Sequence, residues 1–310
     1  MSSRRALLAA GLVACGGLAR AQQRWPSRPV HLVLAYPPGG VSDVVARELA
    51  QDLSQRLGEP VLIEHRPGVG GSLAMNHVAR AAPDGHTLCF SAITALTLLP
   101  QAGSVPFDPR KDIVPVVSIM LTPALVVGTS KVRGATLAEV IAWAGRQGHA
   151  LRWATTGVGT TGHLILEQVR QASGADIVHV PYKGGGQPLS DALAGHFDVL
   201  SSNVGPLQLE YVQAGKLSAL AVGAPGRVAV LPKVPTLAEQ GYERANRGSV
   251  FGVFAPGGTP VELVERINAE FNRSLAASGV KAQLEAVSNV PTGGSAAEFA
   301  AQIEQERAVR

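Results

Sequence analysis

Cysteine is scarce: the 310 residues hold only Cys15 and Cys89. That excludes a disulfide framework. An excess of one charge is missing too. Of the 27 Lys and Arg, three (Arg4, Arg5 and Arg20) fall in the first 21 residues, which contain no acid, so the remaining 24 face 23 Asp and Glu. No basic stripe is left to read a nucleic acid. Aromatics make up 5% of the chain against 35 Gly and 21 Pro, which points to many turns and loops between aliphatic elements. Beyond the N-terminal segment no apolar run approaches the roughly 20 residues that span a bilayer. With 46% hydrophobic and 16% charged residues, disorder is excluded as a class.

Catalytic signatures are also lacking. The histidines (His31, His65, His77, His86, His149, His163, His179 and His196) show no HxH or HExxH spacing, so no metal site is expected. There is no G-x-S-x-G elbow, no S-x-x-K and no GxxxxGK[ST] phosphate loop. Gly157-Val158-Gly159-Thr160-Thr161-Gly162 is a literal G-x-G-x-x-G between a predicted strand and a predicted helix. A dinucleotide site also needs an acid at the end of the next strand. Here that strand runs into Pro181-Tyr182-Lys183, and Asp176 precedes it. An exported NAD(P)-binding oxidoreductase using Gly157–Gly162 stays as the alternative reading.

What is present begins with an address. Ser2 to Arg5 is a short cationic start, Ala6 to Leu18 is apolar, and Ala19-Arg20-Ala21 is an A-x-A cleavage site. This is the layout of a secretory signal peptide over residues 1–21, with a twin-arginine pair at Arg4-Arg5. Leu12-Val13-Ala14-Cys15-Gly16 resembles a lipobox that would anchor the chain through Cys15. Cleavage after Ala21 is favoured. Both routes lead out of the cytoplasm.

After that segment, strands and helices alternate. Val30–Tyr36 reads as a buried strand, and Val45, Leu49, Leu53 and Leu57 mark an amphipathic helix ending at Gly58. Further strands are predicted at 61–64, 87–91, 124–127, 151–154, 177–180, 199–202, 219–222 and 250–254. Helices are predicted near 72–81, 136–146, 161–172, 187–194, 206–214, 260–277, 281–286 and 296–307. Thr136, Thr236, Thr259 and Ser295 each precede a Glu by three residues, as capping boxes do, and Pro260 fits the first helical position. The alternation predicts an α/β fold.

Three loops share one placement. Pro38-Gly39-Gly40, Gly157–Gly162 and Gly184–Gly186 each follow a strand and precede a helix. Such positions line the crevice at the carboxyl ends of an open sheet. Glycine lets backbone N–H groups approach a ligand, and a helix start favours negative charge. Together they predict a site for a carboxylate or phosphate.

The chain resembles the Bug family, the TctC-like solute-binding receptors of tripartite tricarboxylate transporters. The resemblance rests on Trp25-Pro26 with Pro29, Pro37-Pro38-Gly39-Gly40 with Asp43 and Ala46-Arg47, and Glu64-x-Arg66-Pro67-Gly68-x-Gly70-Gly71. It continues through Pro83-Asp84-Gly85, Phe107-Asp108-Pro109, His179-Val180-Pro181-Tyr182-Lys183-Gly184, Pro235-Thr236 and Ala255-Pro256. It implies a type II periplasmic-binding-protein fold, two α/β lobes around a central cleft. The expected lobes are 25–124 plus 249–310, and 125–248. It further implies a monomeric, non-enzymatic receptor without cofactor that hands a small carboxylate to membrane permease subunits. The implied ligand contacts are Tyr36, Pro38, Gly39, Gly40, Thr155, Thr156, Gly157, Gly159, Thr160, Thr161, His163, Tyr182, Lys183, Gly184 and Asn203. One departure stands out: the family often carries Trp just ahead of the Phe-Gly of the last strand, where this chain has Ser249-Val250.

Overall fold

A computed structural model describes residues 25–103, 105–286 and 288–308. The signal-peptide segment 1–21 and Cys15 lie outside the described residues. The chain first builds β1 (Val30–Leu34), α1 (Val41–Leu57), β2 (Val61–His65), α2 (Ser72–Ala79) and β3 (Thr87–Ala92). Two short helices follow, α3 (Thr94–Thr97) and α4 (Leu99–Ala102), then the long β4 (Ile113–Thr122). The middle of the chain is β5 (Ala124–Gly128), α5 (Leu137–Gln147), β6 (Leu151–Thr155), α6 (Thr161–Ser173), β7 (Ile177–Pro181), α7 (Gly186–Leu193), β8 (Val199–Asn203), α8 (Pro206–Gln213) and β9 (Ser218–Gly223). It closes with β10 (Ser249–Pro256), α9 (Val261–Ala276), α10 (Ser278–Ala286), β11 (Val290–Gly293) and α11 (Ala296–Ala308).

These strands form two sheets. One has the order β11-β4-β10-β3-β1-β2, the other β7-β6-β8-β5-β9. The first therefore takes strands from both ends of the chain, and the second from its middle. The chain crosses between the sheets twice. At the first crossing only Pro123 separates β4 from β5. The second is the segment between β9 and β10.

In the first sheet β1 pairs in parallel with β2 and β3, while β10 runs antiparallel between β3 and β4. Every residue of β10 is buried, as expected of a strand flanked on both edges and covered on both faces. Gly252 lies in its middle. The Phe299 ring of α11 lies on it, and a Cβ there would stand 2.6 Å from the carbonyl oxygen of Val117. The second sheet centres on Trp153, which is fully buried. Its indole N–H donates to Ser201 Oγ at 2.9 Å, and that hydroxyl donates to the Gly162 carbonyl at 2.7 Å. This relay draws the start of α6 tightly against β8.

Several sequence expectations needed correction. Strand β4 was not anticipated, because Pro115 interrupts its pattern. Pro115 pairs with Phe254 beside a register shift, and a bulge tolerates the missing N–H. Strand β11 was missed as well: it is a four-residue edge strand containing Pro291 and Gly293. Thr259 does not cap α9. Its hydroxyl donates to the Pro256 carbonyl at 2.7 Å, and Pro260 is the N-cap, with ψ 140°, rather than the first helical residue. The Thr236–Glu239 box does close, but it opens a single 3-10 turn over Ala238–Gln240, because Gly241 takes φ 86° and ends it. The box at Ser295 forms as read; at Thr136 the hydroxyl accepts from Glu139 N–H, but the Glu139 carboxylate accepts from Ala135 N–H, one residue before the N-cap.

The Gly252–Phe299 contact gives a direct test. Gly252→Ala places a methyl group against a backbone oxygen that cannot retreat, so it should lower unfolding stability by about 1–3 kcal/mol. Urea denaturation measures it; an unchanged midpoint would mean that α11 is not seated on β10.

Candidate functional site

A cavity of about 70 Å³ lies at the carboxyl ends of β1, β6 and β8, with walls from both sheets. From the first sheet come Tyr36, Gly39, Gly40, Ser42 and Phe251; from the second come Thr156, Gly185, Ser202, Asn203, Gly205 and Gln208. Three helices begin in this wall. Their N-cap residues are Gly40 for α1, Gly185 for α7 and Gly205 for α8, and none receives a side-chain cap. The first-turn N–H groups of such helices have no intrahelical partner, and the helix dipole is positive there. No Asp, Glu, Lys, Arg or His among the described residues lines the cavity. Burial pushes the Tyr36 hydroxyl up to about 12, so it stays protonated. The site can therefore hold an anion by dipoles and neutral donors, and it offers no countercharge to a cation.

The loop after β1 is built by its neighbours. Gly39 N–H donates to the buried Asp43 carboxylate at 3.0 Å. His65 Nδ1 lies 2.9 Å from the Tyr36 carbonyl, and its Nε2 lies 3.2 Å from Asp43 Oδ1. The Pro-Pro-Gly-Gly-x-x-Asp string and the strand ending at His65 thus hold one turn. Asp43 serves its own helix start and not the cavity.

Of the residues singled out from sequence, Tyr36, Gly39, Gly40, Thr156 and Asn203 meet in the cavity wall. Pro38 lies within the same loop without lining the cavity. The others do not line the cavity. Thr155 is fully buried, with Oγ1 2.7 Å from His179 Nε2. Thr160 caps α6: its hydroxyl accepts from His163 N–H and donates to the Gly157 carbonyl. His163 Nδ1 accepts from Gly159 N–H at 3.2 Å. The Tyr182 hydroxyl donates to Asp191 at 2.6 Å, and Lys183 is exposed.

The glycines of these loops do something the sequence did not suggest. Gly159 has φ 72°, and a Cβ there would stand 2.7 Å from Leu99 Cδ1, a residue of the first sheet's side. Gly184 has φ 132°, and a Cβ there would overlap the Pro37 ring. A Cβ on Gly70 would stand 2.6 Å from the Val158 carbonyl. Gly70, Gly159 and Gly184 thus form a seam between the two halves, while Gly39, Gly40 and Gly185 line the cavity. Beside it, Ser249 Oγ lies 2.6 Å from Asn203 Oδ1 and 2.8 Å from Thr161 Oγ1. Asn203 Oδ1 can only accept, so Ser249 donates to it and Thr161 donates to Ser249. Ser249, at the start of β10, therefore ties that strand to β8 and α6.

Sequence reasoning passed over Ser202, Gly205 and Gln208. The signal was available: Gly205-Pro206 follows a strand, with Pro at the first helical position. A single glycine drew less notice than the triplets.

The family described as "Tripartite tricarboxylate transporter family receptor" matches this sequence over residues 45–309. The chain belongs to that family. Among the relatives of this receptor is the Bordetella pertussis protein BugT, 33% identical over 288 residues, which cover 90% of this chain and 87% of BugT. Among solved structures, the R. palustris protein Rpa4515 with adipate superposes with a TM-score of 0.85 at 31% identity, covering 92% of this chain and 95% of its own. MatC from Rhodopseudomonas palustris with bound malate gives 0.83 at 29% identity, covering 91% and 97%. The type II periplasmic-binding fold, with two α/β lobes, is thereby shown. Family members and neighbours are solute-binding receptors. No helix among the described residues is long and apolar enough to cross a membrane.

Two tests follow for the receptor's second lobe. Thr160→Val removes the α6 cap and should cost about 1 kcal/mol of stability, within a range of roughly 0.5–2; urea titration reads it, and an unaltered midpoint would show that the cap is not in place. The second test concerns pH. His163 and His179 stack with ring centroids 4.4 Å apart. Burial, and then the neighbouring His163, push the His179 imidazole down to about 4 from 6.5. The unfolded chain thus binds more protons between those values, so stability should rise with pH from about 4 to 6.5 and level off above. Thermal unfolding across that range should show a slope that His179→Gln flattens; an equal slope in both proteins would place the titration elsewhere.

Proposed function

We propose that this chain is a periplasmic receptor that captures a small carboxylate between its lobes and delivers it to the permease subunits of a tripartite tricarboxylate-type transporter. The observation that carries this reading is the convergence of three uncapped helix starts on one uncharged cavity. A carboxylate supplies acceptors to bare amides of both lobes at once, and the dipoles offset its desolvation. The solved neighbours with adipate and malate support the ligand class. In this reading the chain is a monomer, performs no catalysis, needs no cofactor and is exported by cleavage after Ala21.

The lobes in this proposal are 25–124 with 249–310, and 125–248. Pro123 and the segment 224–248 then act as the hinge, since few backbone dihedrals must change for two rigid sheets to part. Ligand binds both lobes only when they meet, so it draws the population toward the closed form. The dinucleotide alternative gains no support from the geometry. Gly159 N–H already donates to His163 Nδ1 and His163 N–H to Thr160 Oγ1, and those are amides a pyrophosphate would need.

A matching carboxylate should stabilise the protein by RT ln(1 + [L]/Kd), about 2.7 kcal/mol at a hundredfold excess over Kd, while NAD(P) gives no shift. Gly159→Val strains a positive φ and pushes on Leu99, so closure should fail with the lobes still folded. Small-angle scattering should then show ligand-induced compaction in the wild type and none in the variant. A stability shift with NAD(P) but with no carboxylate would overturn the receptor reading.

A further inference from the structure

The turn that carries Gly70 to the seam holds one residue at odds with its backbone. Gly68, Val69, Gly70 and Gly71 all have positive φ, at 132°, 46°, 59° and 97°. Glycine takes that region freely, but a β-branched residue there is an outlier. Val69 is also 60% exposed, so its side chain gains little from the core. Such strain concentrates where a group is presented for use. Across the seam stands Val158, 41% exposed, whose carbonyl oxygen would lie 2.6 Å from a Cβ on Gly70. Leu73, 49% exposed, lays its Cδ1 over Gly68. Three aliphatic side chains thus adjoin outside the cavity wall, two from the first sheet's half and one from the second's.

Beside Leu73 opens a groove of about 460 Å³ lined by Arg66, Pro67, Asn76, His77 and Arg80, with no Asp or Glu in its wall. Arg66 reaches the Glu64 carboxylate only at 3.5 Å, and His31 holds that carboxylate at 2.6 Å. Arg80 Nε donates to Asn76 Oδ1, a neutral partner.

We propose that Val69, Leu73 and Val158, with Arg66 and Arg80, form a docking surface for a protein segment that carries carboxylates beside apolar side chains. The apolar trio supplies area to bury, and the arginines pair with carboxylates at its edge. Val158 comes from the other half, so the surface is complete only when the halves meet, and the partner distinguishes the closed molecule. A second copy of this chain does not fit, because a two-fold contact would set the arginines against each other. An anionic membrane does not fit either, since its recognition uses clusters of about four to eight Lys and Arg. The assignment is independent of the carboxylate-receptor reading; within that reading, the permease subunits are the proteins placed to present such a segment.

Photocrosslinking in the exporting cell tests it, with p-benzoylphenylalanine in place of Leu73. The control replaces Val261, the 67% exposed first residue of α9, which lies outside the groove. The probe at Leu73 should give one defined protein adduct that the control does not, and the captured peptide should contain Asp or Glu beside aliphatic residues. Arg66→Glu with Arg80→Glu should cut that adduct at least about tenfold, and Val158→Asp on the other half should do the same. Val69→Asn accepts the left-handed turn without a branched side chain. It should raise the melting temperature of the purified protein while weakening the adduct; a lower melting temperature would mean that the valine serves the fold, and would overturn the proposal. So would no adduct, the same adducts from both probes, adducts only with a second copy or with lipid, or an adduct that survives the charge reversal or Val158→Asp. If Val158→Asp does not fold, the exposed arginines decide alone. Carboxylate titration of the same proteins decides the receptor reading separately.

Discussion

Backbone amides at the ends of helices cannot be buried and left unpaired, and this constraint organises the molecule. Each stranded donor costs about 1–3 kcal/mol. The chain meets the requirement in two ways. Helices α5, α6 and α11 carry their own caps in Thr136, Thr160 and Ser295. Helices α1, α7 and α8 start at bare glycines, all at the cavity. In an open cleft water can serve those amides. In a closed one an acceptor must come from elsewhere, so ligand binding and lobe closure become one equilibrium in the proposed function.

The uncharged wall follows from the same arrangement. A lysine or arginine could hold an anion through a single strong contact, but it would do so in one lobe only. In the proposed function, dipoles from α1 on one side and from α7 and α8 on the other divide the anion between lobes. The fixed charges stay outside the wall: Asp43 is held by Gly39 and lies beside Arg47 and His65, while Asp198 lies beside His149 and Arg152. They stiffen the loops and strands that present the amides.

Much of the fold could be read from the sequence because its periodicity is local. Strands such as Val30–Leu34 are short apolar runs, and α1 shows its stripe at Val45, Leu49 and Leu53. Strand β4 escaped because Pro115 breaks the pattern, while the bulge that admits it is set by β10, far along the chain. The site was legible in part. That a loop follows a strand and precedes a helix says which end of the sheet it occupies. It does not say which way the loop faces. Gly40 and Gly159 look alike in sequence, yet one starts a helix in the cavity wall and the other packs on Leu99. That difference depends on the opposite lobe, and no local pattern encodes it. Thr155 and Thr160 are among the implied ligand contacts, but His179 and the first turn of α6 take up their hydroxyls.

The glycine seam bears on how closure is balanced. Gly70, Gly159 and Gly184 meet Val158, Leu99 and Pro37 at backbone distance. Such contacts fix geometry closely, since a side chain at any of these glycines would hold the lobes apart. They bury little apolar surface, however, because one partner of each pair has no side chain, and the hydrophobic gain scales with the area covered. Flexible side chains are mostly absent from the contact, so little rotamer entropy is lost on closing. A seam of this kind defines the closed state without strongly favouring it. The remaining preference then lies with the bare amides of the cavity wall. In the proposed function each of these is satisfied or stranded according to what fills the space between the lobes, so the chemistry of the ligand, more than contact between the lobes, sets how far the protein closes.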